Sequence, residues 1–325
     1  MQVNPVIEKE LKIKMRGWKA PTLITVYLGF LGLIVFLNFL GSKVISPNNV
    51  TQFNPPIALN SYYSLATFQL LMLAFITPAM TGGAISGERE RQTLDLLLCT
   101  NLSPFSVVIG KIFVSIAHVI LLIAASLPIL GTVFLYGGIG ITDLLVLFAF
   151  YLATAIMLGS MGIFYSSIFK RSSVSMIMSY ITVLFLLFGT IIIYGIWSSI
   201  FSNNTGIPPG IGHTMAFMFP NPIYGFGSIL YGSSYGAGIP GGLSGIISTV
   251  IPMSGSVYGG NTPNTTFPMF LGIQFKPWMA NITFDLIVSF LFIFVSTIRI
   301  QPAKRFRLRI RRKKSQLEAQ IIPKN

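Results

Sequence analysis

Long apolar runs, separated by short polar segments, dominate the chain. A helix needs about 20 mainly apolar residues to cross about 30 Å of hydrocarbon. Six runs meet this length, and they cover residues 21–41, 63–85, 112–136, 141–169, 174–201 and 278–300. Only the sequence GGIG at 137–140 separates the third run from the fourth, so one re-entrant hairpin is an alternative for that pair. The pattern therefore predicts an all-α integral membrane protein with six transmembrane helices.

Composition supports a membrane location, because only 9% of the 325 residues are charged and 53% are hydrophobic. A soluble domain carries about 25% charged residues, so this chain has too few charges to solvate a globular surface. The single cysteine, Cys99, excludes an internal disulfide. His118 and His213 are too far apart in sequence to suggest a histidine-rich metal site. No short apolar core with a cleavage site opens the chain, so the first span is expected to remain as an anchor.

The distribution of basic residues predicts the orientation of the spans. Lys and Arg favour the cytoplasmic side of a span because they resist translocation. If the N-terminus is inside, the cytoplasmic segments hold most of the 22 Lys and Arg residues, whereas the outer segments hold only Lys43 and Lys276. The chain is therefore predicted to be N-in and C-in, with the polar segment between spans two and three in the cytoplasm.

Residues 1–20 are predicted to form an amphipathic helix on the inner membrane surface. Ile7, Leu11, Met15 and Trp18 recur at helical spacing, while most of the basic residues lie off this apolar stripe. A helix of this kind lies in the plane of the interface, with Trp18 at headgroup depth. A solvated leader that only directs topology is the alternative.

The C-terminal tail, residues 301–325, is strongly basic and includes KRFRLRIRRKK at 304–314. Each basic side chain can gain about 1 kcal/mol beside an anionic leaflet. We expect Arg305, Arg307 and Arg309 to bind anionic lipids, because the membrane surface is the polyanion nearest to a tail that directly follows a span. Nucleic-acid binding is the rival interpretation, and it is not favoured.

The segment 202–277, between spans five and six, is a large outer loop that differs from a solvated linker. It has one charged residue, Lys276, and many aromatic residues, whereas a disordered linker carries more charge and fewer aromatic residues. We expect the loop to pack on the outer ends of the spans or to enter the membrane. Residues 215–231 are the best candidate for a broken re-entrant segment, with Pro220 and Pro222 at the break. An irregular but ordered loop is the alternative.

The chain shows no motif for catalysis or for ATP binding. Gly110 and Lys111 are followed by Ile112, and the earlier glycine of a phosphate-binding loop is missing. Asp285 is the one charged residue well inside a predicted span, and such a residue is suspected of function by default. We interpret Asp285 as structural, because a secondary transporter usually carries several intramembrane ionisable residues. An ATP-independent secondary transporter or channel is the alternative class.

The segment 85–104, ISGERERQTLDLLLCTNLSP, concentrates charge between two apolar spans. Its charged start, followed by Leu94, Leu97 and Leu98, predicts a short helix over about 88–99. Ser103 and Pro104 then restart a helix that runs for about 50 Å to residue 136. The short helix is a candidate docking element for a cytoplasmic partner, although a solvated inner loop would show a similar pattern.

The same segment resembles a motif of a known family. GERERQTLDLLL at 87–98, TNLS at 100–103 and GK at 110–111 look like the G-E-R-E-x-x-T-L-[ED]-L-L-L…T-x-[LI]-S…G-K stretch of bacterial type-2 ABC exporter permeases. NPV at 4–6 with KEL at 9–11 is similar to the start of those proteins, and NPIY at 221–224 resembles a segment before their last span. Asn101 departs from the pattern, because proline is frequent there.

The resemblance implies the transmembrane subunit of an ATP-driven exporter in a bacterial plasma membrane. Residues 1–20 would be the family's connecting helix, and residues 87–100 its coupling helix. The coupling helix would dock on a separate cytoplasmic ATPase subunit that binds ATP and Mg, so this chain would bind no cofactor and would not be an enzyme. Two permease chains, identical or related, would work with two ATPase subunits.

The resemblance also implies roles for particular side chains of the coupling helix. Its polar residues would contact the ATPase subunit: Glu88, Arg89, Glu90, Arg91, Thr93 and Asp95. Leu94, Leu97 and Leu98 would anchor the helix to the transmembrane bundle.

Overall fold

The computed structural model describes eight parts of the chain: residues 17–41, 55–94, 104–135, 140–206, 211–233, 269–270, 273–274 and 276–300. Residues 1–16, with most of the predicted amphipathic helix, and the tail 301–325, with its three lipid-binding arginines, lie outside these parts. The expectations for both segments therefore stay predictions.

Six apolar stretches of the described chain are helical and long enough to cross a membrane. In chain order the helices are α1 (Lys19–Gly41), α2 (Pro55–Thr81), α3 (Ser86–Glu90), α4 (Pro104–Leu135), α5 (Ile141–Ile168), α6 (Ser172–Leu184), α7 (Thr190–Thr205), α8 (Ile211–Met218), α9 (Pro222–Ser233) and α10 (Pro277–Ile300). A short π-helical segment, Phe185–Gly189, joins α6 to α7 as one fifth span. The predicted six-span helical architecture is therefore confirmed.

The start of the second span differs most from the prediction. The sequence predicts this span over 63–85, whereas α2 begins at Pro55 and ends at Thr81. Proline suits the first turn of a helix because its missing N–H needs no partner there, which explains a start at Pro55 and Pro56. The third and fourth runs form the separate helices α4 and α5, and each is long and apolar enough to cross a membrane by itself.

Helix α5 occupies the centre of the bundle, where it contacts α2, α4, α6, α9 and α10. Most of its second half is buried. Gly162 faces α2 at a close approach, since a Cβ added there would lie 2.0 Å from Thr81 Oγ1, whereas a Cβ added at Gly159 would lie 3.0 Å from Ile116 Cγ1 on α4. Small residues let membrane helices pack with their backbones close together. Gly162 therefore lets span four lie close to span two, and Gly159 lets it lie close to span three.

Large apolar side chains cover the outward faces of α1, α6, α7 and α10. Exposed examples are Phe36, Ile177, Ile192 and Phe290. Broad exposed apolar surfaces indicate contact with a membrane or a partner, because soluble monomers rarely expose large apolar patches to water. These faces therefore fit helices that are surrounded by lipid.

The described residues of the segment 202–277 that follow the fifth span form two helices and a small hairpin. Helices α8 and α9 are separated by a break at 219–221, and β1 (Met269–Phe270) pairs antiparallel with β2 (Ile273–Gln274). Helix α9 contacts α5 and α10, and Phe226 stacks on Tyr151 with their ring centroids 6.4 Å apart. The helix, break and second helix occupy the predicted broken segment 215–231, and α9 enters the bundle.

Asn221, at the break, joins the loop to the fifth span. Its side-chain nitrogen donates to Leu187 O at 3.1 Å and to Thr190 Oγ1 at 2.7 Å. Its oxygen accepts from the backbone N–H of Ile223 at 2.7 Å. Leu187 lies in the π-helical segment, where the regular hydrogen-bond pattern of the helix changes. Asn221 therefore holds the break against the irregular point of span five.

Replacing Asn221 with alanine is expected to lower the free energy of unfolding by about 1–3 kcal/mol, because a buried carbonyl and a hydroxyl lose their donor. Thermal unfolding of the purified protein in detergent would show a lower Tm. Asn203→Ala is the matched control, because Asn203 is exposed on α7, and it should leave the Tm unchanged. Equal Tm values for Asn221→Ala and the wild type would contradict this role.

Candidate functional site

Helix α3 is held beside the end of α5 by a tight turn. The backbone N–H groups of Ile85 and Ser86 both donate to Ser166 Oγ, at 2.9 and 2.8 Å. Gly82 in the turn has no room for a side chain, because an added Cβ would lie 3.0 Å from Met176 Cγ on α6. The turn therefore positions α3 against both the fourth and the fifth span.

Glu88 connects α3 to the third span. Its carboxylate accepts a hydrogen bond from the Thr93 hydroxyl and forms an ion pair with Lys111 Nζ at 3.1 Å. The Lys111 side chain is 7% exposed and the Glu88 side chain 29%. Removing one partner of a buried ion pair leaves the other charge without compensation, which is strongly destabilising. The pair therefore joins α3 firmly to α4.

Arg89 connects α3 to the end of the fourth span. Its guanidinium donates to Phe169 O at 3.3 Å and to Ser167 O at 3.2 Å. Carbonyl groups in the last turn of a helix lack partners within the helix and carry partial negative charge. A cation is thus stabilising at this position, and Arg89 closes the end of α5.

Glu90 connects α3 to the start of the fifth span. Its carboxylate accepts from the backbone N–H of Ser172 at 2.8 Å and from Ser172 Oγ at 2.7 Å. The first N–H groups of a helix are unpaired, and an acidic group next to them is stabilising. Glu90 therefore acts as a cap for α6 that comes from a different part of the chain.

Together these side chains form one site, which we name the polar junction: Glu88, Arg89 and Glu90 with their partners Thr93, Lys111, Ser167, Phe169 and Ser172. Three consecutive charged residues each bond to a different span. A displacement of α3 would therefore act on spans three, four and five at once through these bonds.

The chain leaves α3 through an exposed turn at Arg91 and Gln92. Gln92 has a φ of 58°, a left-handed conformation that ends helices. The backbone N–H of Thr93 donates to Glu88 O at 3.0 Å and closes the turn. Helix α3 ends at Glu90, so the predicted helix over 88–99 is interrupted at this turn, while residues 95–99 lie outside the described part of the chain.

Leu94 follows the turn and is buried. It belongs to an apolar cluster with Ile85, Val108, Ile112 and Ile300, which come from the ends of several helices. This is the position that an anchoring role requires. Asp95, Leu97 and Leu98, which the resemblance also assigns to the coupling helix, lie outside the described residues. Trp18, assigned to the membrane surface, is exposed just before α1.

Asp285 lies apart from the polar junction, in the middle of the bundle. It is fully buried on α10 and its Oδ2 accepts from Thr154 Oγ1 on α5 at 3.3 Å. Ser289 Oγ donates to the backbone carbonyl of Asp285 at 2.6 Å, which is a bond within α10. The contact with Thr154 is the helix-to-helix hydrogen bond that the structural interpretation of Asp285 expects.

Sequence reasoning missed the partners of the three charged residues. Lys111 had a signal, because a lone lysine at the edge of an apolar span is costly unless it is paired or reaches water. Nothing in the sequence pointed to Ser172, the partner of Glu90, or to Ser166, which accepts from the backbone at the start of α3. Serine is common in membrane helices, and the role of these two depends on which helix end lies beside α3. The short helix itself was found from its charge pattern.

A bundle of apolar helices with a polar junction at one end defines a multi-pass membrane protein. The family model for the ABC-2 family transporter protein matches residues 4–257 of the 325-residue chain. The chain belongs to this family, so it is a permease subunit of an ABC transporter, a class that associates with ABC ATPase subunits. No individual curated protein matches the chain.

Proposed function

We propose that the protein is the membrane subunit of an exporter in a bacterial plasma membrane. ATP hydrolysis by a separate cytoplasmic ATPase subunit would drive the export of a substrate. The observation that carries this proposal is the polar junction, because it links one short helix next to an exposed turn to three spans. A partner that moves α3 would thereby move those spans together.

The charge distribution supports a cytoplasmic position for the polar junction. The described cations at this end of the bundle include Arg89, Arg91, Lys111, Lys170, Arg171 and Arg299. Lys276 lies at the opposite end, because it precedes α10, whose last residue, Ile300, packs near Ile85. Basic residues favour the cytoplasmic side. We therefore place the ATPase subunit at the end that carries the polar junction.

In this proposal the partner ATPase subunit, and not this chain, binds ATP and Mg. The chain has no phosphate-binding loop, so we assign no catalytic or cofactor-binding role to it. A second permease chain, identical or related, would complete the transmembrane pathway. Arg305, Arg307 and Arg309 would hold the tail on anionic lipids, with Trp18 at the headgroups.

Co-purification tests this function. Affinity-tagged protein, solubilised in mild detergent from its native membrane, is expected to retain an ABC ATPase subunit. The rate of ATP hydrolysis should differ between that subunit alone and the subunit reconstituted together with the permease. A preparation that transports substrate along an ion gradient, with no ATPase subunit and no dependence on ATP, would support the secondary-transporter alternative and contradict the proposal.

A further inference from the structure

We infer that exposed cations from two separate loops form one docking surface for an acidic face of the ATPase subunit. This inference rests on the proposed function. Of the residues that the resemblance assigns to the contact it keeps Arg91, and it adds Gln92, Lys170 and Arg171. The surface, named here the two-loop surface, consists of Arg91 and Gln92 from the turn after α3, and of Lys170 and Arg171 between α5 and α6. Glu90 joins the two loops.

The polar junction uses the charges that the resemblance assigns to the partner. Glu88 is bonded to Lys111 and Thr93, and Arg89 is bonded to the last carbonyls of α5. Groups already paired within the chain must lose those bonds before they can pair with a partner, at a cost comparable to the new bonds. Glu88 and Arg89 are therefore positioning residues, and the contact belongs to side chains beyond them.

The residues of the two-loop surface meet that requirement. Arg91, Gln92, Lys170 and Arg171 are all exposed. Glu90 brings the two loops together, because its carboxylate bonds Ser172, the residue after Arg171, while Arg91 follows Glu90 in the chain. The bonds from Ser172, and then the charges of Arg171 and Arg91, lower the pKa of Glu90. The left-handed conformation of Gln92 turns the chain at this point.

The charge of this surface identifies the chemistry of the partner. Two exposed arginines, Arg91 and Arg171, lie near the Glu90 carboxylate, which is already bonded to Ser172, and the exposed Lys170 precedes Arg171 in the chain. Complementary charge speeds association and gives specificity. A face of the ATPase subunit that carries Asp or Glu side chains fits this surface, with Glu90 setting the spacing between the two basic loops.

Binding measurements on charge-reversal variants test the two-loop surface. The probe is the ATPase subunit that co-purifies with the wild type, and the permease is reconstituted in nanodiscs of neutral phosphatidylcholine. At about 50 mM NaCl, Arg91→Glu and the double variant Lys170→Glu with Arg171→Glu should each weaken binding about tenfold. Raising the salt should weaken wild-type binding and strengthen the binding of a variant reversed at both loops, because salt screens the attraction in the first case and the repulsion in the second. Lys276→Glu, an exposed lysine at the opposite end, is the matched control and should bind like the wild type.

Glu90→Ala tests whether Glu90 acts by positioning the two loops or only by its charge. Removing a carboxylate makes the surface more basic, so charge alone predicts tighter binding to an acidic face. Loss of the bond to Ser172 frees the two loops from each other, so the proposed role predicts weaker binding, again about tenfold. Tighter binding by Glu90→Ala would overturn the positioning role.

Two further outcomes distinguish this surface from the proposed function. If the ATPase subunit binds every reversal variant as it binds the wild type, the two-loop surface is wrong and the permease function stands. The surface is also wrong if the reversals weaken binding only in nanodiscs that contain phosphatidylglycerol, since the cations would then serve the anionic lipid. If the wild type binds no ATPase subunit in any lipid, both the function and the surface fail.

Discussion

Gly162→Ala is expected to prevent most of the protein from folding. The added Cβ would lie 2.0 Å from Thr81 Oγ1 and 2.9 Å from Thr81 Cβ, far inside van der Waals contact. Thr81 is buried at the end of α2 and Gly162 lies in the buried half of α5, so neither backbone can shift without disturbing the bundle. Overpacking of a core costs about 1–3 kcal/mol and more in a tight site, and we expect the upper end or beyond. The measurement is the yield of monodisperse protein by size-exclusion chromatography.

Two variants make this test specific. Gly195→Ala is the matched control, because nothing lies within 4 Å of an added Cβ on that exposed helix, and its yield should equal that of the wild type. Gly162→Ala combined with Thr81→Ala removes the shortest clash and should recover part of the yield. A normal yield of Gly162→Ala alone would show that Gly162 on span four does not approach Thr81 on span two closely.

Glu88→Lys is expected to uncouple α3 from the third span and to abolish the ATP-dependent activity that the proposed function assigns to the complex. The substitution sets two ammonium groups against each other where Lys111 is almost buried, and it removes the acceptor of Thr93. Breaking a buried pair costs about 3–5 kcal/mol, and the partial exposure of Glu88 places the expected loss near the lower figure. The measurements are the Tm in detergent and, in proteoliposomes, the ATP hydrolysis of the co-purified complex.

The reciprocal variant shows whether the ion pair itself is responsible. Glu88→Lys combined with Lys111→Glu restores opposite charges, and a double-mutant cycle should give a favourable coupling energy of about 0.5–3 kcal/mol. Lys170→Glu is the control for folding, because this exposed lysine should leave the Tm unchanged even where it weakens the partner's binding. A double variant no more stable than Glu88→Lys would show that the pair does not join the two helices.

The resemblance and the structure assign different work to the same motif. The resemblance makes Glu88 to Arg91 one contact surface for the ATPase subunit, a role that stays a prediction for each of them. The structure divides the motif, because Glu88, Arg89 and Glu90 bond to three spans while Arg91 stays exposed. The motif thus has a part that bonds α3 to the spans and an exposed part that a partner can contact. Under the proposed function, both parts are needed for a movement of the partner to move the spans.

The sequence by itself was sufficient for the membrane class, the six spans and the position of the charged segment. Each of these depends on local composition, since the cost of placing a 20-residue segment in hydrocarbon is nearly a sum over its own residues. The break at Pro220 and Pro222 was visible for a similar reason, because proline removes a donor and restricts the backbone wherever it occurs.

Only the tertiary structure decided what the charged segment does. Glu88 and Lys111 are 23 positions apart, and Glu90 and Ser172 are 82 apart. Hydrogen bonds of that range depend on which helix ends lie side by side, and helix contacts such as Gly162 against Thr81 determine that arrangement. Apolar periodicity shows that a helix is buried, but many packings bury the same face. The choice among them comes from close contacts that involve distant parts of the chain at once.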